Sequence, residues 1–441
     1  MLFPNLAEQA VERAKQDYMD KVSRMWRKGR ALAIQYHNGL GYLDYQNLID
    51  EDLREQIPLS NNNIVKRIIE RVSLVYTIPP VRTVGDDPAE KYLELVPRIN
   101  TSLQRVERMT NLLNLVAVKP TVYGEGKDRH IEFDMLTDFD AFFDSDPMKP
   151  SGISYPLQTK SGSNEPEVLM YVDAGGWRKF HSDGKVVEEG EHNYGILPVY
   201  FNFTDRPETE FLDVDYARDL IDACREINTL SMDRTANVRF QSYGYLWAAG
   251  VQHDQVIVTA PNKVLTFDDP QASLNLTTPP DTQQSTTDTI NAIYKQIARN
   301  WHLPEDFVEG SAAVESGRAI QLRNQELTDD RQGDIERCRE MELGLYEICQ
   351  KIAPVDFKRQ LAGELSVDFQ EKQLVESEED RRARWEWEVD KGFKSWAEIL
   401  FSEVNPDRFE SVEEAQAYID QNRKAGKTPS VIGELLGAGG E

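Results

Sequence analysis

Carboxylate side chains are the residues of this sequence that most often lie close enough to share a catalytic role or a metal ion. The 441-residue chain has 76 aspartates and glutamates against 50 lysines and arginines, so neighbouring carboxylates also arise from composition alone. Asp138, Asp140, Asp144 and Asp146 together resemble a cation-binding loop. Because the glycine and the terminal glutamate of an EF-hand are missing, we interpret this segment as a solvated turn.

A second acidic group combines carboxylates with a histidine. Glu188 and Glu189 precede Glu191 and His192, and such a set could supply a general acid and a general base. A charged strand edge explains the same residues equally well and is the commoner arrangement.

The sequence contains none of the usual nucleotide or nucleophile motifs. The nearest approach to a phosphate-binding loop is Gly124-Glu-Gly126-Lys127, which lacks the required spacing and the following Ser or Thr, so we interpret it as a hairpin turn. No G-x-G-x-x-G follows a strand and no G-x-S-x-G occurs. The histidines are far apart and none belongs to a zinc motif: His37, His130, His181, His192, His253 and His302. We therefore predict no catalytic residues, no metal, no cofactor and no enzymatic activity.

The charge of the chain limits how it could interact with nucleic acid. Its formal net charge is −26, whereas tight binding to phosphates requires lysine and arginine. An acidic protein can still allow nucleic acid to slide past. The tryptophan-rich segment WEWEVDKGFKSW at 385–396 is interleaved with glutamates, so we interpret it as a helix that buries its aromatic side chains rather than as a stacking platform for single strands.

The cysteines and the hydropathy predict a protein of a reducing cytosol. Cys224, Cys338 and Cys349 are scattered, and we predict that all three are reduced core residues. No stretch approaches the roughly 18 apolar residues of a membrane span, and the N-terminus lacks the apolar region of a signal peptide.

Helical periodicity dominates the first part of the chain. We predict a charged helix within 5–38 that ends at an Asn-Gly turn. A second helix lies within 61–80, where Ile64, Ile68, Val72 and Val75 form one face after a group of asparagines. A further helix is expected over about 88–118. The pattern then becomes strand-like to about 203, which predicts a small, mostly antiparallel sheet.

The second half returns to helices. We predict helices over 212–240 and 282–301 with strands and turns between them. After a Pro turn and a loop of small residues, a long helix carries a buried stripe of Ile335, Cys338, Met341, Leu345, Ile348 and Ile352. A strand at 364–369 and helices at 375–393 and 411–426 complete the prediction.

Four segments, in this order, resemble the portal proteins of tailed bacteriophages, in the branch found in many long-tailed phages. The first is NNNIVKRIIERVSLVYTIPP at 61–80, and the second is NYGILPVYFNF at 193–203 followed by LIDACREINTLSMD at 220–233. The third is the Pro turn and Gly310 before the run from Ser316 to Ile320, and the fourth is DKGFKSWAEILFSEVNPD at 390–407. The resemblance spans about 60–410. Two parts of the chain depart from the family. The crown segment is shorter than in many portal proteins, and residues 241–281 cannot be matched to the family residue by residue.

The resemblance implies a fold class and a set of boundaries. The class would be α+β, with a mainly helical portal fold of wing, stem, clip and crown that assembles into a ring around a central channel. The wing would cover 1–212, with stem helices at 213–240 and 282–302 on either side of a clip at 241–281. A tunnel loop would follow at 303–317, and a long wing helix with the strand after it would cover 318–369. The crown and a C-terminal tail would cover 370–441.

The same resemblance implies a function and partners. A portal protein forms a homo-oligomeric ring of twelve subunits at one vertex of the capsid, and double-stranded DNA passes through it during packaging and ejection. The expected partners are therefore DNA, the large terminase subunit, the head–tail adaptor protein, and the major capsid and scaffold proteins, with no membrane. The expected location is the portal vertex of the virion, after assembly in the cytoplasm of the bacterial host.

The residues of the expected tunnel loop suit a channel that must not hold its cargo. Gly, Ser, Ala and Val give flexibility, and two glutamates give little attraction for phosphate. The loop comprises Glu309, Gly310, Ser311, Ala312, Ala313, Val314, Glu315, Ser316 and Gly317. Lys295, Arg299 and Arg318 are candidates, on position alone, for basic residues that face the channel, although a solvated or intersubunit salt-bridge residue is the commoner role for each. The alternative function is an acidic scaffold or adaptor-like protein of a viral assembly without a DNA channel.

Overall fold

The computed structural model describes most of the chain, and its residues fall into two compact units. The described residues are 8–9, 21–46, 59–85, 87–157, 168–181, 184–208, 211–212, 217–243, 245–249, 273–277, 283–304, 325–369, 378–404, 408–409 and 411–424. The first unit comprises Met1–Ala312 with Asn324–Gln370, and the second comprises Ala313–Arg323 with Glu371–Glu441.

The first unit begins with helices and a small sheet. In chain order these elements are α1 (Lys21–His37), α2 (Tyr42–Tyr45), α3 (Ile64–Val72), a 3₁₀ turn (Val75–Thr77), β1 (Val81–Val84), β2 (Asp87–Pro88), α4 (Glu90–Leu95) and α5 (Ile99–Leu113). The side chain of Asn63 accepts a hydrogen bond from Lys66 N–H at 3.1 Å, which caps α3 as the asparagines before it predicted. Ile64 and Ile68 are buried as predicted, but α3 ends at Val72, so Val75 lies in the 3₁₀ turn and not on the predicted helical face.

Strands follow in the middle of this unit. They are β3 (Leu115–Tyr123), β4 (His130–Leu136), β5 (Asp140–Phe142), β6 (Gly152–Pro156), β7 (Val168–Asp173), β8 (Gly176–His181), β9 (Val186–Glu191) and β10 (Tyr200–Phe203). The segment at Gly124 and Gly126 is the turn between β3 and β4, as predicted, and both glycines have positive φ (+79° and +59°).

The remaining elements of the first unit are mainly helical. They are α6 (Arg218–Tyr243), β11 (Tyr245–Ala249), β12 (Ser273–Thr277), α7 (Gln283–Asn300), α8 (Gln325–Asp356) and β13 (Leu365–Asp368).

All strand pairings among the described residues are antiparallel. The strand orders are β13-β1-β2, β10-β3-β4, β11-β12 and β5-β6-β7-β8-β9. The expectation of a mainly helical portal fold is therefore wrong, because helices share the molecule with several antiparallel sheets, one of them five-stranded. Local periodicity does not indicate which strands pair, because partners can lie far apart in the chain. β1 and β13, for example, pair in a register that runs from Val81↔Asp368 to Val84↔Leu365.

The predicted helix over 88–118 is also corrected. Pro97 lies between α4 and α5, and Asn114 ends α5 in a left-handed conformation (φ 59°) with its N–H bonded to Thr110 C=O at 2.7 Å. The apolar run at 115–118 then forms the start of β3. This strand is buried on both faces, since Val116 and Val118 belong to the core under the helices while Leu115 and Ala117 belong to the core beside the five-stranded sheet.

The second unit has a small apolar core of its own. Its described elements are α9 (Glu378–Asp390), α10 (Trp396–Ile399), a π-helical turn (Leu400–Val404) and α11 (Val412–Lys424). Ser395 caps α10 in a reciprocal arrangement with Glu398, with hydrogen bonds of 3.2 and 2.6 Å.

In that unit, the prediction that the tryptophan-rich segment at 385–396 buries its aromatic side chains is confirmed only in part. Trp385 is buried, whereas Trp387 is 55% exposed and stacks on Phe393 at 5.5 Å.

Candidate functional site

The predicted stem segments form an antiparallel pair of helices. At the start of α6, Asp219 Oδ2 accepts hydrogen bonds from Asn300 Nδ2 at 3.1 Å and from Trp301 Nε1 at 3.2 Å, at the end of α7. Towards the other end of the pair, Arg234 Nη1 donates to Thr287 Oγ1 at 3.4 Å. The chain therefore runs out along α6 and returns along α7.

A two-stranded ribbon lies between these helices in the sequence. β11 follows α6, β12 precedes α7, and the two strands pair in antiparallel register from Tyr245↔Thr277 to Ala249↔Ser273. This ribbon falls within the segment predicted as the clip.

The end of α7 is closed by a tight turn. His302 has φ +50°, Leu303 N–H donates to Ala298 C=O at 2.7 Å, and His302 N–H donates to Arg299 C=O at 3.3 Å. These two bonds are those of a Schellman motif, with histidine at the position that glycine usually occupies. Leu303 is buried and Pro304 follows, so the helix cannot continue.

The same turn is tied to the long helix α8. His302 Nδ1 lies 2.5 Å from Asp330 Oδ2, and both side chains are about half exposed. The described residues on either side of 305–324 are thereby held together. Glu309, Gly310, Ser311, Ala312, Ala313, Val314, Glu315, Ser316, Gly317 and Arg318 all lie outside the described residues, so their predicted roles stay predictions.

Of the candidate basic residues, Lys295 and Arg299 are placed together on α7. Both are exposed, and they are four residues apart and therefore neighbours on one face. The opposite face buries Ile290, Ile297 and Ala298. The structure thus places Lys295 and Arg299 on the outer face of the helix pair.

Hydroxyl groups along α6 and α7 bond to their own helices. Each donates to the carbonyl four residues earlier, at 2.7–2.9 Å: Thr229 to Arg225, Ser231 to Ile227, Thr235 to Ser231, Thr287 to Gln283 and Thr289 to Ser285. The donors of these five hydroxyl groups are therefore occupied within their own helices.

The acidic groups that could have formed a reactive site are engaged in ion pairs. Arg27 contacts Asp138 at 3.2 Å and Asp140 at 2.5 Å, and Asp140 is only 8% exposed. The interpretation of this segment as a wholly solvated turn is therefore wrong at Asp140. Across β8 and β9, Glu188 pairs with Lys179 at 2.9 Å and Glu189 with Arg178 at 3.1 Å, which confirms a charged strand edge.

The described residues hold no cluster that suits a metal ion. Among them, no group of three His, Cys, Asp or Glu side chains comes close enough to bind one. All three cysteines are free and buried, as predicted. No described helix has the length and apolarity needed to cross a bilayer.

A buried ion pair in the core was missed by the sequence analysis. Arg82 donates to Glu342 through Nε at 2.5 Å and through Nη2 at 2.8 Å, and Tyr76 O–H donates to the same carboxylate at 3.0 Å. Burial raises the pKa of Glu342, and these donors offset part of the rise. The sequence feature that could have indicated this ion pair is the position of Glu342 on the apolar face of α8, between Cys338 and Leu345.

A second buried carboxylate supports the turn that carries Tyr76. Glu107 accepts hydrogen bonds from Val75 N–H at 2.8 Å and Tyr76 N–H at 3.3 Å. Burial raises the pKa of Glu107 to about 7, against the effect of these two bonds. Both carboxylates are enclosed by the core, so their role is structural.

Comparisons with known proteins give structural similarity only. No protein-family model and no curated protein matches the chain. One similar chain, in the neck of an empty gene transfer agent (GTA) particle computed with C6 symmetry, shares 13% identity at a TM-score of 0.46, with 80% of this chain and 93% of that chain covered. Another, in the virion of a native GTA particle, shares 12% identity at a TM-score of 0.36, with 77% and 89% covered. Both TM-scores lie below 0.5.

Proposed function

We propose that this chain is a structural protein of a phage-like virion and, more specifically, a portal protein: one subunit of a ring-shaped conduit at a capsid vertex, through which DNA is packaged and ejected. The observation that carries the proposal is the order of elements from α6 to α8. An antiparallel helix pair, a strand ribbon between its helices, a capped turn and a long helix follow one another in the sequence that the portal resemblance assigns to stem, clip, stem, tunnel loop and wing helix.

The surface of the helix pair supports a conduit rather than a tight binder. Its hydroxyl groups are bonded internally, and the chain as a whole carries a charge of −26. DNA that passes such a surface meets few phosphate contacts and is not held. Lys295 and Arg299 would supply a weak attraction that keeps the DNA centred, provided that the outer face of α7 lines the channel.

The mixed architecture of the first unit has a place in this proposal. The two three-stranded sheets, α8 and the buried faces of α6 and α7 share one apolar core, whereas the five-stranded sheet packs on a second core. The helix pair is also fixed by contacts such as the hydrogen bond from Asn62 Nδ2 to the Tyr294 hydroxyl. A rigid body of this kind can hold the helix pair in position within a ring. The large terminase subunit, the head–tail adaptor and the major capsid and scaffold proteins are the proposed partners.

The proposal is tested by replacing the residues Gly310–Gly317 with a proline-rich sequence of equal length in a system that produces particles. Rings are expected to form as in the wild type, while the amount of nuclease-protected DNA per particle falls at least tenfold, because a stiff loop obstructs the channel. The matched control replaces the same residues with a shuffled order of their own glycine, serine, alanine, valine and glutamate.

Two outcomes would contradict the proposal. Normal DNA content with the proline-rich loop would show that these residues do not line a conduit. A closed oligomer without a central opening would favour the alternative, an acidic scaffold or adaptor-like protein.

A further inference from the structure

An aromatic groove lies in the first unit, away from α6 and α7. Its volume is about 530 Å³, which is within the range of ligand-binding clefts. Phe211 lies in its floor, with its ring centroid 5.0 Å from that of Phe201 and 5.3 Å from that of Phe203, both in edge-on contact. Since the three rings fix one another, the floor of the groove is already shaped before anything binds.

The charge of the groove is opposite to that of the chain. Lys149 and Arg206 are its charged lining residues, and both are exposed. Among the thirteen described residues that line it, none is acidic, although acidic residues outnumber basic ones by 76 to 50 in the whole chain. The nearby carboxylate of Asp146 accepts a hydrogen bond from Met148 N–H at 2.9 Å.

The two sides of the groove are linked through its arginine. Arg206 Nη2 donates to Met148 C=O at 3.0 Å, which holds the guanidinium beside the segment that carries Lys149. The two cations therefore flank the same aromatic floor. By contrast, a second cavity of about 420 Å³ includes Asp87, Glu90 and Lys91 in its lining and so shares the acidic bias of the chain.

We propose that this groove binds an acidic peptide segment that carries an aromatic side chain and belongs to a partner protein of the assembly. The aromatic side chain would lie on Phe201, Phe203 and Phe211, and carboxylates on either side of it would pair with Lys149 and Arg206. Apolar anchors surrounded by complementary charge are the usual basis of peptide recognition at such a site. This inference does not depend on the proposed conduit.

The test measures the fluorescence anisotropy of a labelled pentapeptide, DEFDE, during titration with the full-length protein. We expect saturable binding that weakens at least tenfold in the Lys149→Glu/Arg206→Glu variant. Lys127→Glu, at an exposed turn outside the groove, makes the same kind of charge change and should leave binding unaltered. The single variant Lys149→Glu, at an exposed position, provides the same test if the double variant unfolds at a lower temperature.

A second variant separates shape from charge. Ala174→Trp places a large ring in the groove without changing either cation, and it is expected to reduce DEFDE binding at least tenfold while the midpoint of thermal unfolding stays within a few degrees. The peptide DEADE, without the aromatic ring, should bind at least tenfold more weakly than DEFDE to the wild type.

Four results would overturn the assignment. They are equal binding of DEFDE by the wild type and the charge-reversed variants, equal binding of DEADE and DEFDE, displacement of DEFDE by an equimolar amount of dodecanoate, and loss of self-association in the charge-reversed variant. The last result would assign the groove to a neighbouring copy of the chain instead of a separate partner.

Discussion

Helix α8 and the pair formed by α6 and α7 are stabilised in different ways. α8 contacts β3, β10 and β13, and its buried face even encloses the carboxylate of Glu342. Gly344 allows α8 to approach β10, because a Cβ there would overlap the Tyr200 ring. α7 buries one stripe of small and aliphatic residues and leaves a polar face outside.

The buried network around α8 therefore maintains the fold of the single chain, whereas the outer face of α7 is exposed to other components of an assembled particle. Substitutions in the network around α8 should change the stability of a single chain. Substitutions on the outer face of α7 should leave that stability unchanged and affect only what the assembled particle does.

The largest effect is expected from Arg82→Met. The substitution leaves the buried carboxylate of Glu342 without its bidentate partner, which typically costs about 3–5 kcal/mol in the free energy of unfolding. Chemical denaturation of the isolated protein measures it. Arg98→Met is the control, because Arg98 is 76% exposed and pairs with Glu132 at 3.4 Å, a contact worth about 0–1 kcal/mol. Equal effects of the two substitutions would show that α8 is not the stabilising centre.

The next effect is a pH dependence that arises from Glu107. Its pKa is raised from 4.5 to about 7 in the folded chain, so the folded state binds a proton more tightly than the unfolded state does. This group therefore adds stability at low pH that is lost as the pH rises from about 4.5 through about 7, by on the order of 3 kcal/mol.

Glu107→Gln should remove this part of the pH dependence. The measurement is the free energy of unfolding of both proteins at a series of pH values from 4.5 to 8, compared as a difference. Glu94→Gln, at a surface pair with Arg359, is the control and should leave the slope as it is in the wild type. The interpretation fails if the slope survives in Glu107→Gln.

A smaller and local effect is expected from Asp219→Ala. It removes the acceptor for Asn300 and Trp301 and should cost about 1 kcal/mol, since two hydrogen bonds at an exposed site are lost. Hydrogen exchange should become faster in the last turn of α7 and stay unchanged in the middle of α8. Asp222→Ala, at a 65% exposed side chain that pairs with Arg218 within α6, should have no such effect. Faster exchange throughout α8 would show that the two regions are coupled.

The smallest effect on stability is expected from Lys295→Glu/Arg299→Glu. Both side chains are exposed, so the free energy of unfolding should change by less than about 0.5 kcal/mol. If these residues face the channel, particles assembled from the variant should contain less nuclease-protected DNA than particles that carry Lys127→Glu. Unchanged DNA content would leave both side chains as ordinary surface residues.

Elements with strong local signals could be predicted from the sequence. The asparagines before Ile64 identified the cap of α3, and the three-to-four-residue spacing from Ile335 to Ile352 identified the buried stripe of α8, all six of whose predicted residues are buried.

Features that depend on distant residues could not be predicted. The partners Arg82 and Glu342 are 260 positions apart, and the register of β1 with β13 is set by the folded core. The start of β3 was assigned to a helix because an apolar run that is buried on both faces has no clear period of its own. Trp385 and Trp387 are two residues apart in one helix, so they lie on different sides of it. The clustering of tryptophans in the sequence does not indicate that only one of them is buried.

We propose that the chain forms a ring around an opening that passes DNA. Native mass spectrometry of the purified protein, combined with class averages from electron microscopy, tests this proposal, with the capsid scaffold protein added when the chain alone stays monomeric. We expect a ring of about a dozen subunits with an open centre, in which α7 faces the opening. A closed oligomer without an opening, under both conditions, would contradict it.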